Sequence, residues 1–478
     1  MSTKRQALDG GKWMTTSTVV STLLQFGQVA VLARLLEPSA FGIVSVSTLV
    51  IAFFNIFANL GFSNSIIYKQ ESDGRVLSTL YWLNLLLGAL IALLIFASAP
   101  LVVAYYHEPR LTVVIRLSAA YFPIVYFGQL YLFMLQKELR FKAVALIDIA
   151  GAVTGTVVTV ALAYGGLEEL SLIFGQLAMQ TMRTLLQIAQ GYRLFTPTRH
   201  FDMALIRDHL RFGMYNVGDG VVGFVQANSD NILVGGLLGV KTLGYYTLAS
   251  QLAVFPISKL NPIVLQVAYP ILAKMKNNDA ELRKSYLTIL DFISYVNLPL
   301  LAGLFITADS VVPLFYGPGW EETIRLIKIF VFVSFFSCLS HPLFTLAFSK
   351  GKPNLLFYLN LMTLLVKIPL VYVFSYYGGV TGIALAFLTA TFINLLINFR
   401  LVHTLIGPFL TEFLANLAKP VTFCLLMVGS ILLYQQFVGY AGLTNTLIQV
   451  GLGALIFGLL TLRYKVSPAE LKALRRSA

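Results

Sequence analysis

Between residues 12 and 463 the chain passes through fourteen low-charge stretches, each close to the length at which a helix crosses a membrane. They cover 12–34, 40–62, 78–100, 112–135, 143–164, 170–192, 212–238, 243–266, 286–307, 323–347, 355–377, 379–400, 419–437 and 445–463. About 20 apolar residues in a helix span the hydrocarbon core. Only 12% of the 478 residues are charged and 57% are hydrophobic, against roughly 25% charged in a soluble domain. That balance excludes a soluble enzyme, a disordered chain and a nucleic-acid binder, despite a net charge of +13. The expectation is an all-α polytopic membrane protein with about fourteen transmembrane helices.

Lys and Arg fix an orientation. On alternate connections stand Lys4, Arg5 and Lys12; Lys69 and Arg75; Lys137, Arg140 and Lys142; and Arg193, Arg199, Arg207 and Arg211. Lys274, Lys276, Arg283 and Lys284, then Lys350 and Lys352, then Arg400 and Lys419, continue the alternation to a basic tail. The opposite connections hold Arg34, Arg110 and Lys241. Basic loops stay in the cytoplasm, so both termini are expected there. The first apolar run is long, polar-studded and continues into the second, so it reads as a retained helix and not a cleaved signal. The connection from Tyr192 to Arg211 carries Pro197 and a basic amphipathic piece, Asp202–Arg211, expected to lie along the membrane surface.

The chain repeats itself. Leu35-Leu36-Glu37-Pro38-Ser39-Ala40-Phe41-Gly42 and Leu237-Leu238-Gly239-Val240-Lys241-Thr242-Leu243-Gly244 share Leu-Leu, four residues, an apolar residue and Gly, 202 positions apart. The offset spans six expected helices, an even number, so both halves enter the membrane the same way. Two six-helix lobes in parallel pseudo-repeat follow, over residues 1–200 and 201–404, with two peripheral lipid-facing helices and the tail in 405–478.

Nothing points to covalent chemistry. Gly10-Gly11-Lys12 and Lys350-Gly351-Lys352 lack the spacing of a phosphate loop. The five histidines are scattered, and Cys338 and Cys424 stand alone in apolar runs. No cofactor, no metal and no enzymatic role are expected. The informative feature is polarity inside the runs. Asp148, Arg183, Asp219, Asp230, Lys259 and Lys367 sit well within them, and each charge costs about 2.5–3.5 kcal/mol at mid-membrane if it faces lipid. They must face a wet interior or one another.

Polar residues also align at helical spacing. Gln176, Gln180, Arg183, Gln187 and Gln190 fall within a sector of about 80°. Asn216, Asp219, Gln226 and Asp230 form another stripe, as do Ser21, Gln25 and Gln28; Thr48, Asn55 and Asn59; Asn360, Thr363 and Lys367; and Thr391, Asn394 and Asn398. A single stripe serves equally as hydrogen-bonding glue between helices; six in two halves fit one shared hydrophilic cavity better. The candidate substrate-binding residues are Arg183, Lys259, Lys367, Gln176, Gln180, Gln187, Gln25, Asn55, Asn59, Gln226, Asn360 and Asn394. Asp219 and Asp230 are candidate ion-coupling groups by depth alone. Asp148, with no stripe around it, reads as a structural partner.

The run Asn231–Ala249 followed by Pro256, and the run Tyr269–Lys276, resemble the polysaccharide-transport branch of the multidrug/oligosaccharidyl-lipid/polysaccharide flippase superfamily, nearest its O-antigen, capsule, colanic and teichuronic acid exporters. The resemblance extends over nearly the whole chain. It implies two lobes that open alternately to each side of a bacterial cytoplasmic membrane. The implied cargo is a glycan on a polyprenyl diphosphate, whose head is held by cavity bases while its tail stays among membrane lipids. Polysaccharide polymerase and export proteins are implied partners. Lys259 matches a cavity base that related precursor flippases carry on the eighth span. Their first-span base has no counterpart here, where Gln25 and Gln28 stand at that depth. Two other activities compete. A cation-coupled drug or metabolite antiporter of the same superfamily would want a net acidic, aromatic-walled cavity. A membrane glycan polymerase would want a large external loop with catalytic Arg or His, which the chain lacks.

Overall fold

The structure is a computed structural model that describes residues 3–58, 73–203 and 207–465; for 3–8, 58, 207–219 and 465 it describes the backbone course alone. Asn59, residues 204–206 of the amphipathic segment and the side chains of 207–211 and Asp219 therefore lie outside the described residues. Among those residues every regular element is helical. Hydrocarbon offers no water to backbone amides, and a helix satisfies them within its own segment.

The helices are α1 (Thr3–Leu35), α2 (Pro38–Ala58), α3 (Gly74–Tyr106), α4 (Leu111–Ser118), α5 (Tyr121–Lys137), α6 (Phe141–Tyr164), α7 (Glu168–Gly191), α8 (Arg207–Lys274), α9 (Asp279–Tyr316), α10 (Glu321–Ser340), α11 (Pro342–Ser349), α12 (Asn354–Ile406), α13 (Leu410–Val438) and α14 (Leu443–Lys465). Eleven described stretches are long and apolar enough to cross a bilayer. The chain is a multi-pass membrane protein. The difference from the fourteen sequence runs has local causes. Two stretches, Gly220–Lys274 and Asn354–Ile406, are 55 and 53 residues long, and each contains a break, at Gly239 (φ 81°) and Gly379 (φ 52°). The helix α7 is absent from the eleven because its glutamines and Arg183 dilute its apolar character.

The left-handed backbone at Gly379 turns the second part of α12 back on the first. A Cβ on Gly382 would lie 1.9 Å from the carbonyl oxygen of Phe374, so only glycine permits this turn.

Two compact units result, Met1–Gly244 and Tyr245–Ala478. Within the first, α6 packs on α7 and α1, and α5 packs on α7 and α3. Within the second, α9 and α12 flank α10, while α13 and α14 pack on α9. The division of the repeat into residues 1–200 and 201–404 concerns sequence symmetry; the first compact unit continues past it, through the opening part of α8.

The two copies of the repeated motif meet each other inside the first unit. A Cβ on Gly42 would lie 1.7 Å from the Val240 carbonyl oxygen, and one on Gly244 would lie 1.8 Å from the Pro38 carbonyl oxygen. Each glycine thus faces the residue four places before the other copy's glycine. Backbones this close require hydrogen in place of a side chain, the usual basis of tight helix crossing in membranes.

At one end of this unit Arg110 gathers three carboxylates. Its Nε donates to Glu108 Oε1 at 3.0 Å, and its Nη1 lies 3.9 Å from Glu168 and 3.6 Å from Glu169. The side-chain bond from Arg110 holds the Glu108 carboxyl below its ordinary range. A carboxyl depressed in the fold adds stability above the unfolded carboxylate range, and that stability is lost as pH falls through the folded value. The partners are partly solvated, so the gain is under about 1 kcal/mol. Glu108→Gln is expected to lower the melting temperature by about 1–2 °C at neutral pH. The gap should close as the pH drops below the usual carboxylate range; a gap that widens in acid contradicts this account.

Candidate functional site

A polar cavity lies where α1, α6 and α7 pack together. On α6, Gly151, Gly155 and Thr159 follow one another at four-residue spacing; opposite them on antiparallel α7 stand Arg183, Met179 and Gly175. A Cβ on Gly151 would come within 2.6 Å of the Arg183 side chain, one on Gly155 within 2.7 Å of Met179, and one on Gly175 within 1.7 Å of Thr159 Oγ1. The small residues of α6 make room for the long ones of α7. Gly151 in particular gives the Arg183 stem its place.

This packing leaves a cavity of about 340 Å³ whose polar lining includes Ser21, Gln25, Gln28, Thr156, Gln176 and Arg183. Thr156 donates to Gln28 Oε1 at 3.0 Å. Arg183 Nε lies 3.3 Å from Asp148 Oδ1, with about a quarter of the arginine side chain and a third of the aspartate's accessible. The two terminal nitrogens of the guanidinium make no hydrogen bond among the described residues. The arrangement is a fork with its stem neutralised and its prongs open, beside amides that both donate and accept. Such a fork matches the geometry of phosphate oxygens, and amides match sugar hydroxyls.

The structure thus gathers Gln25, Gln176 and Arg183, and gives Asp148 the partner expected of it. It separates Gln180 and Gln187 from them. Both are nearly buried, at 7% and 5% exposure. Gln180 reaches Thr184, whose hydroxyl donates to the Ile124 carbonyl at 2.8 Å, and Gln187 fills the space left by Gly128 on α5. An 80° polar sector is wider than this cavity, so its edge packs against a neighbouring helix. Asn55, Gln226 and Asp230 are half-buried in the same unit, and Phe53 of α2 meets Phe224 of α8 edge-on at 5.4 Å.

In the second unit, Lys367 Nζ lies 4.5 Å from the centre of the Phe387 ring, a cation–π contact within α12. Asn394 donates to Thr363 Oγ1, and Asn398 donates to Asn394 Oδ1 at 2.7 Å. The two stripes of α12 therefore face each other. Asn360 is half-buried nearby in sequence, and Lys259 is exposed on α8. A further polar group escaped the stripe pattern. Asn297 donates to Asn261 Oδ1 at 2.9 Å, and Asn261 lies 3.4 Å from His341 Nδ1. Both asparagines are 1% exposed. Asn261 lies on α8, Asn297 on α9 and His341 in the turn between α10 and α11, so helical spacing carries no trace of them. Among the described residues no group of three or more His, Cys, Asp or Glu side chains is placed to hold a metal ion.

The sequence pattern of the polysaccharide biosynthesis protein family matches residues 31–325, well over half of the chain. The chain belongs to this family. Among its relatives is the lipopolysaccharide biosynthesis protein WzxC of Escherichia coli, 29% identical over 88% of this chain and 86% of that one. The teichuronic acid biosynthesis protein TuaB of Bacillus subtilis is also 29% identical, over 87% and 86%. Among solved structures, the lipid II flippase MurJ in an inward closed conformation superposes with a TM-score of 0.73 at 15% identity, covering 94% of this chain and 98% of that one. An inward-facing multidrug resistance MATE transporter follows at 0.59 and 17% identity, over 80% and 95%. This member of the polysaccharide biosynthesis family therefore has the MurJ and MATE fold.

Proposed function

We propose that the protein is a flippase that moves a polyprenyl-diphosphate-linked oligosaccharide across the bacterial cytoplasmic membrane by alternating access, for surface polysaccharide assembly. The observation that carries this reading is the open Arg183 fork inside a glutamine-lined cavity at membrane depth. An anionic sugar head cannot enter hydrocarbon unaided, and this site offers it one cation and several amides. The relatives support the reading: two are named for lipopolysaccharide and teichuronic acid biosynthesis, and the structure with the highest similarity quoted above is a lipid II flippase. Lys259 and Lys367 are proposed as further cargo-binding cations, and Asn59, Gln226, Asn360 and Asn394 as further sugar contacts. Asp219 and Asp230 would couple the cycle to an ion. Substrate moves without covalent change, and polysaccharide polymerase and export proteins would take it onward.

The orientation proposed, with both termini in the cytoplasm, rests on the concentration of Lys and Arg on alternate connections of the sequence.

The test is direct. Cells lacking the gene should accumulate lipid-linked glycan on the cytoplasmic leaflet, and the wild-type chain should clear it. Lys259→Ala and Lys367→Ala should each slow clearance several-fold at normal expression. Full clearance without the gene sinks the flippase reading, and drug resistance conferred by the gene would favour the antiporter.

A further inference from the structure

A second cavity, of about 690 Å³, opens on the first unit away from the one that holds Arg183. Its walls are Leu146, Ile147, Ile149 and Ala150 of α6 and Leu186 of α7, and its mouth carries Arg140, Lys142 and Gln190. The first turn of α6 and the last turn of α7 share one end of the unit, the end at which the sequence concentrates Lys and Arg. The groove therefore begins with two cations at the membrane surface and continues as an apolar slot toward the bilayer interior.

The cations are not consumed by the fold. Among the described residues neither Arg140 nor Lys142 forms an ion pair, and no carboxylate lines the groove. Lys142 Nζ lies 5.0 Å from the centre of the Trp13 ring of α1, a contact that orients the amine without neutralising it. Tryptophan at this level belongs to the interfacial belt. This end differs from the opposite one, where Arg110 is surrounded by carboxylates.

We propose that this groove is a binding site for an anionic phospholipid, with the phosphate between Arg140 and Lys142 and one acyl chain along Leu146, Ile149 and Leu186. Charge selects the occupant: a zwitterionic head would bring its own cation against two unpaired ones. Volume agrees, since ligand sites commonly enclose about 300–1,000 Å³. Basic pockets between transmembrane helices at the cytoplasmic side hold anionic heads in the same way. The site is independent of cargo transport.

The experiment uses the full chain, purified, delipidated and returned to vesicles of phosphatidylcholine with or without phosphatidylglycerol. Phosphatidylglycerol should raise the melting temperature and should be the lipid retained in native mass spectra. Arg140→Gln and Lys142→Gln should each weaken that retention roughly fivefold, and together about 30-fold. Lys274→Gln with Lys276→Gln, a basic pair outside the groove, should leave it unchanged. Ala150→Trp, which fills the slot and keeps both charges, should weaken retention as well. Equal retention of both lipids, or undiminished phosphatidylglycerol retention in the Arg140/Lys142 double variant, overturns the proposal and leaves ordinary annular lipid.

Discussion

Gly42→Val is expected to unfold the protein or to leave it barely soluble in detergent. The added Cβ would meet the Val240 carbonyl oxygen at 1.7 Å, where ordinary contact needs about twice that. The obstacle is backbone, held within two helical segments, so no rotamer change relieves it. Overpacking a rigid interior commonly costs 1–3 kcal/mol and sometimes more; here two chain segments must part, and about 3 kcal/mol or more is expected. Gly244→Val should do the same from the other side, against Pro38. Gly27→Ala and Gly429→Ala meet nothing within 4 Å and should stay within roughly half a kcal/mol of the parent. Fluorescence-detected size exclusion and a thermal ramp on the four variants would decide it. A Gly42→Val protein as stable as Gly27→Ala would mean that the repeated motifs do not touch.

Arg183→Ala is expected to reduce glycan export roughly 10–100-fold, the range in which bonds to a charged group are measured. Lys at this position keeps the charge and loses the planar fork, so it should restore only part of the activity. Alanine alone also strands Asp148 without a counter-charge, which by itself lowers stability. The double variant Arg183→Ala with Asp148→Asn removes both charges and separates the two effects. Protein yield should recover and export should not. Recovery of export in the double variant would show that Arg183 serves the fold and not the cargo.

Much of the architecture was legible from the apolar runs, because hydrocarbon leaves the backbone few choices. The repeated Leu-Leu…Gly motif marked two equivalent turns. That the turns lie against each other could not be read, since nothing in one copy encodes contact with the other. The lining of the candidate cavity was half legible. Helical spacing found Gln176 and Arg183, and Gln25 on another helix, but grouped Gln180 and Gln187 with them. Their fate depended on Gly128 of α5, a residue with no polar pattern of its own. Asp148 has no polar stripe around it in the sequence, and its place beside Arg183 comes from helix packing. The amides Asn261 and Asn297 were invisible for a related reason: each is a lone polar residue, and its partner lies on another helix.

The glycine ladder along α6 also bears on how cargo preference changes over generations. Arg183 sits where it does because Gly151 yields space to its stem. Exchanging that glycine for serine or alanine in a descendant would move the guanidinium without deleting it. Under the flippase reading proposed above, an uncharged residue on the neighbouring helix would then retune the head-group contact while the cation itself is kept.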